Sequence, residues 1–374
     1  MALLGAHGAH GAHGAHGAHG AHGAHGAHGA HGAHGAHGGP ASSGDPLLAT
    51  AMAVSAEGIM GYWNGTTTLN PLPAAADFTT FTKLQGDARI AVLVHELAPL
   101  FRVSPVGTLD VITPVAGPPL LQLTPPTIPE LAAQLVHVRT GADLRADRLP
   151  EILSQMGDML SFYGAQFRVH PDARKWTHVL LAAVYQTVLI PEMRLKFRAS
   201  LPRPFDFAPQ VQPVIETPAH STYPSGHATE AFAFATVLSA LFYASRGVVD
   251  PGATVLGNLT GPGAATLDET LPFRLAARIA DNRTVAGVHF PVDSAHGALL
   301  GLATGLSFVA ACLPGGASVP AWAAQGSTWT DYFTLDEWCG ALGGWDTGAM
   351  IALPGSGAGS LLADLWDAAV GEWQ

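Results

Sequence analysis

Residues 223–244 read YPSGHATEAFAFATVLSALFYA, a proline-glycine turn that carries a serine and a histidine and opens into a long apolar run holding a single acid, Glu230. From Ala228 to Tyr243 the run has the composition of a helix buried on all sides. The turn therefore sets its backbone N–H groups at or near a helix start, where unpaired donors and the helix dipole favour an anion. Gly226 lets the backbone approach a ligand closely, Ser225 adds a hydroxyl, and His227 stands beside any bound anion as a proton donor. Taken alone, Ser-Gly-His is only a capped helix start.

Its neighbours along the chain change that reading. Upstream, Lys196 is followed after six residues by Arg203-Pro204; downstream, Arg283 precedes His289 by six residues and His289 precedes Asp293 by four. The chain has three lysines and 12% charged residues, so three cations beside two histidines are not an accident of composition. A phosphate-like oxyanion spreads its charge over several oxygens, and a site for one must bring cations and N–H donors in from different directions. Arginine's fork suits paired oxygens and lysine supplies a point charge. Pro202 and Pro204 end the helix that carries Lys196 and hold Arg203 in an extended exit. Asp293, four residues beyond His289, can accept from one imidazole nitrogen, fix the tautomer and raise the basicity of the other. Arg283 completes a cationic clamp.

Composition limits the alternatives. The 374 residues are 48% hydrophobic, ample for a large buried core. A formal charge of −11 with seventeen Lys and Arg excludes a nucleic-acid partner, which needs a basic face. Cys312 and Cys339 are too few for a disulfide framework and wrongly spaced for zinc, and read as structural thiols. Residues 5–37 repeat Gly-Ala-His eleven times, with nothing bulky to bury, so disorder and weak divalent-metal binding are expected there. We expect residues 1–46 to be this tail and a linker, and 47–374 to be a single mainly helical catalytic domain with its site core at 155–313. No basic stretch followed by an apolar run is visible at the start, so no signal peptide is expected and the protein reads as soluble and cytoplasmic. Ser294 to Leu313 is charge-free and of about spanning length, and Trp176 to Ile190 is also apolar. Both abut the site residues and read as buried core helices, with membrane association not expected.

Apolar residues at three and four spacing predict helices over Ile128–Thr140, Leu149–Gln166 and Asp172–Phe197, the last kinked or restarted at Pro191. Further helices are expected over Ala228–Tyr243, after the Ser-Gly-His turn, over Leu271–Ala286, after a Gly-rich loop, and over Pro291–Cys312, which starts with proline in its first turn. Prolines crowd residues 104–129, which predicts an irregular surface crossing. No alternating strand series of comparable length is seen, and the fold class expected is all-α. Residues 314–374 are rich in Gly and Trp and carry no assignable chemistry.

In this order over residues 196–293, Lys-x6-Arg-Pro, Pro-Ser-Gly-His and Arg-x5-His-x3-Asp resemble the three-part signature of one superfamily. It joins vanadium-dependent haloperoxidases, bacterial non-specific acid phosphatases and type 2 phosphatidic acid phosphatases. The resemblance implies a helical bundle in which Lys196, Arg203, Ser225, Gly226 and Arg283 hold the equatorial oxygens of phosphate or vanadate. His289 is then the apical group, supported by Asp293. In a haloperoxidase His289 binds the vanadium of vanadate and His227 handles protons, while halide, with bromide expected, is oxidised by hydrogen peroxide. In a phosphatase, which needs no cofactor, His289 attacks a phosphomonoester to form a phosphohistidine and His227 protonates the leaving oxygen. The family usually has Ser before the last Arg; here Asn282 stands there. His220, seven residues before His227, matches a second histidine that bromoperoxidases resembling this sequence carry near the peroxide site. With the length of the folded part, it favours the haloperoxidase reading over the phosphatase one, ahead of a non-catalytic phosphate or metal binder. The expected partners are small molecules, with a homo-oligomer left open.

Overall fold

A computed structural model describes residues 46–60, 65–66, 77–104, 108–261 and 267–374. The Gly-Ala-His tract, with the disorder and metal binding expected of it, lies outside the described residues. Helices α1 (Pro46–Met60), α2 (Phe78–Lys83) and α3 (Gly86–Leu97) lead into strands β1 (Arg102–Val103), β2 (Leu109–Ile112) and β3 (Leu121–Thr124). The helical body follows: α4 (Ile128–Ala133), α5 (Leu135–Gly141), α6 (Arg145–Gln155), α7 (Leu160–Phe167), α8 (Lys175–Ala199), α9 (Pro204–Phe207), α10 (Gly226–Ala244), α11 (Pro251–Thr260), α12 (Leu267–Ala286) and α13 (Pro291–Cys312). Strand β4 (Ala317–Gln325), α14 (Leu335–Trp345), β5 (Asp346–Leu353) and α15 (Leu361–Gly371) complete it.

The core is organised on α10 and α13. Every residue of α13 is buried, and α10 is buried along nearly its whole length, as sequences apolar on every face require. α13 is long and apolar enough to cross a membrane by length and composition, and its apolar window is wholly buried within the protein. The two helices approach closely because Gly297, Gly301 and Gly305 recur every four residues on the face that α13 turns to α10. A Cβ at Gly297 would stand 2.5 Å from the Ser225 carbonyl oxygen, and one at Gly301 would overlap the Thr229 carbonyl. This contact holds the 223–227 turn against the start of α13, where Ser225 N donates to Asp293 O at 2.9 Å.

The all-α expectation needs correction. The protein is mostly helical but contains a five-stranded sheet in the order β1-β2-β3-β4-β5, with β3 and β4 parallel and the other pairs antiparallel. Strands β2 and β3 lie within the proline-crowded stretch expected to be an irregular crossing, with β1 just before it. β4 and β5 give structure to the Trp-rich end, and Leu121↔Trp322 to Thr124↔Gln325 join the two regions. The predicted 149–166 helix is divided into α6 and α7, and the 128–140 helix is interrupted at Gln134 between α4 and α5. α8 instead runs through Pro191 as one helix.

Candidate active site

The C-terminal part of α8 carries Lys196, and the helix ends at Ser200 in the left-handed region, φ 48°. Pro202 and Pro204 then send Arg203 back beside the 220–224 segment. Lys196 Nζ donates to Pro224 O at 2.5 Å and to Ser221 O at 3.4 Å. The Arg203 guanidinium donates to His220 O (3.1 Å), Val288 O (2.9 Å) and Ser221 O (3.4 Å), and contacts His220 Nδ1 at 3.2 Å. Both cations thus brace the turn as well as charging the pocket.

Ser225 is the N-cap of α10, yet its hydroxyl makes no capping bond. Buried and without a partner, that hydroxyl remains available, which is unusual for an N-cap serine. His227 follows, its Nε2 also buried and unpartnered. On α12, Arg283 is 1% exposed. Its NH2 donates to Gln155 Oε1 at 2.9 Å and Ile152 O at 3.4 Å, while Nε and NH1 have no partner. A buried guanidinium with open N–H groups is costly unless something accepts from them.

The turn after α12 passes through Gly287, φ +84°, where a Cβ would come within 2.6 Å of Arg145 NH2, and presents His289. His289 Nδ1 lies 3.2 Å from Asp293 Oδ2 and 3.3 Å from Thr222 Oγ1. Asp293 Oδ2 also accepts from Thr222 Oγ1 at 2.5 Å and from Phe290 N at 2.8 Å. Nε2 is therefore the His289 nitrogen not engaged by Asp293. Burial, with Arg203 and Lys196 adding, holds His289 well below its usual pKa. Burial, then Arg283, does the same for His227, against a backbone hydrogen bond at Gln155. Both rings are neutral at pH 7. Burial pushes Asp293 up to about 6, against Thr222, Phe290 N and the cations, so it is ionised at neutral pH.

One pocket is lined by Lys196, Arg203, His220, Gly226, His227, Arg283 and His289; Ser225 precedes Gly226 in the chain, and Asp293 is bonded to His289. Glu192 and Glu230 line it too. Neither acid stood out in the sequence, although Glu192 lies one helical turn before Lys196. Gln155 and α6 were also missed. Arg148 pairs with Asp281 at 3.1 Å, Glu151 receives two bonds from Arg278, and Gln155 receives Asn282 as well as Arg283, so α6 clamps the helix that delivers Arg283. Asn282 bonds Arg148, Glu151 and Gln155 and is turned to α6. No cluster of three or more His, Cys, Asp or Glu suited to a metal ion is found among the described residues.

Three buried cations, a helix start whose serine hydroxyl makes no cap and a histidine held by a carboxylate thus meet around one pocket. Residues 176–313 match the model of the PAP2 superfamily, and this chain carries a PAP2 superfamily domain. The chain is 38% identical over 91 residues to the vanadium-dependent bromoperoxidase of Ascophyllum nodosum, a match spanning 23% of this chain and only 16% of that protein. Among solved structures it is similar to a transmembrane PAP2 type phosphatidylglycerolphosphate phosphatase from Bacillus subtilis. That likeness has 17% identity and a TM-score of 0.34, and covers 62% of this chain and 92% of the other.

Proposed function

We propose that the protein is a vanadate-dependent haloperoxidase-like enzyme that oxidises halide, with bromide the expected substrate, using hydrogen peroxide. The observation that carries this reading is the set of uncommitted donors around one pocket: Arg283 Nε and NH1, Ser225 Oγ and His227 Nε2, all buried and without partners. Those donors, with Lys196, Arg203 and the Gly226 backbone, suit the oxygens of a tetrahedral oxyanion, so the residues fit vanadate. His289, neutral and tied through Nδ1 to Asp293, suits the vanadium itself. Bound there, vanadate would supply the electrophilic centre that activates peroxide towards halide. The protein's own part is to neutralise the oxyanion's charge, to hold His289 in one tautomer through Asp293, and to accept or return a proton at His227 Nε2. His220 lines the same pocket and contacts Arg203, which supports a role beside the peroxide. The burial of α13 supports a soluble protein.

The second reading is an acid phosphatase with no cofactor, favoured by the same neutral His289, whose Nε2 could attack phosphorus. A paired assay separates the two: bromination with peroxide after vanadate loading, and hydrolysis of an aryl phosphate without vanadate. Bromination is expected, and His220→Ala should depress it while changing vanadate affinity little. Aryl phosphate turnover without any bromination would replace this reading with the phosphatase one.

A further inference from the structure

Two carboxyl groups, those of Glu192 and Glu230, stand in the pocket among the cations. Glu192 precedes Lys196 by one turn of α8, and Glu230 follows Gly226 by one turn of α10, so helical spacing brings both to the wall that holds the ammonium and the helix start. They are 3% and 5% exposed, both line the pocket, and Oε2 of each is buried without a hydrogen-bond partner. The fit is close, since a Cβ on Gly226 would stand 2.5 Å from Glu192 Oε1. The Glu192 carboxyl therefore lies against the anion-binding turn itself.

Charge balance constrains the state of these acids. At pH 7 Lys196, Arg203 and Arg283 contribute three positive charges, which ionised Asp293, Glu192 and Glu230 would cancel. Burial pushes Lys196 down to about 8 against the pull of Glu192, so near pH 8 the lysine adds a proton uptake of its own that the Glu192→Gln variant cannot remove entirely. A neutral pocket has no electrostatic pull on an oxyanion, and adjacent carboxylates in a dry site do not both ionise. Burial pushes Glu192 up to about 7 against the pull of Lys196. Burial, reinforced by Glu192, pushes Glu230 well above the usual carboxylate range against Lys196 and Arg283. The other groups that face the pair are His227 on α10, Arg203, Glu216 and His220 from the segments before it, Arg283 on α12 and His289 beyond. His227 and His289, neutral through burial, add no charge.

We propose that Glu192 and Glu230 are protonated hydrogen-bond donors to the bound oxyanion, so that the site takes up its oxyanion together with protons. This deepens the oxyanion reading above and rests on it. A carboxylic acid O–H donates to an oxygen lone pair, so a fully deprotonated tetrahedral dianion is an acceptable ligand. As pH rises through about 7 the Glu192 proton must be re-acquired on binding, and affinity falls by about tenfold per pH unit for each proton so linked.

Sulfate is the discriminating probe, because it is tetrahedral and does not titrate between pH 5 and 9. Calorimetry of sulfate with the full chain, at pH 7 and 8 in buffers of different ionisation enthalpy, counts the protons taken up. The expected result is sulfate binding with Glu192-linked uptake of about half a proton per chain at pH 7, rising towards one at pH 8, and an affinity that tightens as pH falls. Glu192→Gln and Glu230→Gln should each lower that uptake and flatten the pH profile. Sulfate binding without proton uptake, or unchanged uptake in both variants, would overturn the proposal. Phosphate binding with sulfate excluded would overturn it too, since the acids would then be acceptors, while leaving the oxyanion reading intact. Binding of neither anion would remove both. The sulfate and phosphate comparison needs only the parent protein, so it decides even if the variants fold poorly.

Discussion

Asp293 gathers three donors on Oδ2 and leaves Oδ1 buried with none. One of those donors is His289, whose orientation and tautomer depend on it, and another is Phe290 N at the start of α13. Removing the carboxylate should therefore weaken the function of His289 without replacing it, and also loosen a helix cap. We expect His289→Ala to abolish turnover and Asp293→Ala to lower it by about 10- to 100-fold, with a loss of about 1–2 kcal/mol in stability from the uncapped Phe290 N. Steady-state kinetics and thermal melts on the two variants check this, and a fully active His289→Ala protein would refute its assigned role. The motif residues were legible because their chemistry is tied to short, fixed spacings along the chain, across a helix end or a tight turn. Glu192 and Glu230 were not, because an acid one turn from a lysine reads as an ordinary helix ion pair, and an acid in an apolar run reads as dilution. Only the packing of α8 on α10 turns both towards one pocket.

The glycines of α13 set how closely it approaches α10. Gly301→Ala would press a methyl into the Thr229 carbonyl and Phe232, and overpacking a contact with no room to relax should destabilise by about 1–3 kcal/mol despite the better helix propensity of alanine. Gly343→Ala in α14 is the matched control: nothing lies within 4 Å of its added Cβ, so it should be neutral or stabilising by about 0.4–1 kcal/mol. Denaturant titration of both variants measures the contrast, and equal effects would mean that the α10–α13 approach is looser than described. The long helices α8, α10, α12 and α13 were legible from length and punctuation: α8 shows apolar spacing, α10 and α13 are long apolar runs that open after the Ser-Gly-His turn and at Pro291, and α12 follows a Gly-rich loop. The strands were hidden for opposite reasons. β2 and β3 are four residues each, too short to show alternation, while β4 is built of small residues around Pro320 and has a register shift between Pro320 and Trp322. The break at Gln134 was not local either, for its side chain donates to Trp329 O at 2.8 Å and accepts from Val292 N at 3.1 Å.

Across the whole molecule, distant parts of the chain are tied to one another around the helical core. The β3–β4 pairing ties residues 121–124 to 322–325, and α6, which precedes the family-matched 176–313 region, secures Arg283 through Gln155. A chain of formal charge −11 thus concentrates three buried cations at one point. Charge placed this way should recognise the shape and charge of a tetrahedral oxyanion more than its central atom. The most direct measurement is calorimetry of vanadate binding to the full-length protein, repeated in excess phosphate. One vanadate per chain is expected, displaced competitively by phosphate. Vanadate that binds undisturbed by excess phosphate, or does not bind at all, would contradict the oxyanion reading.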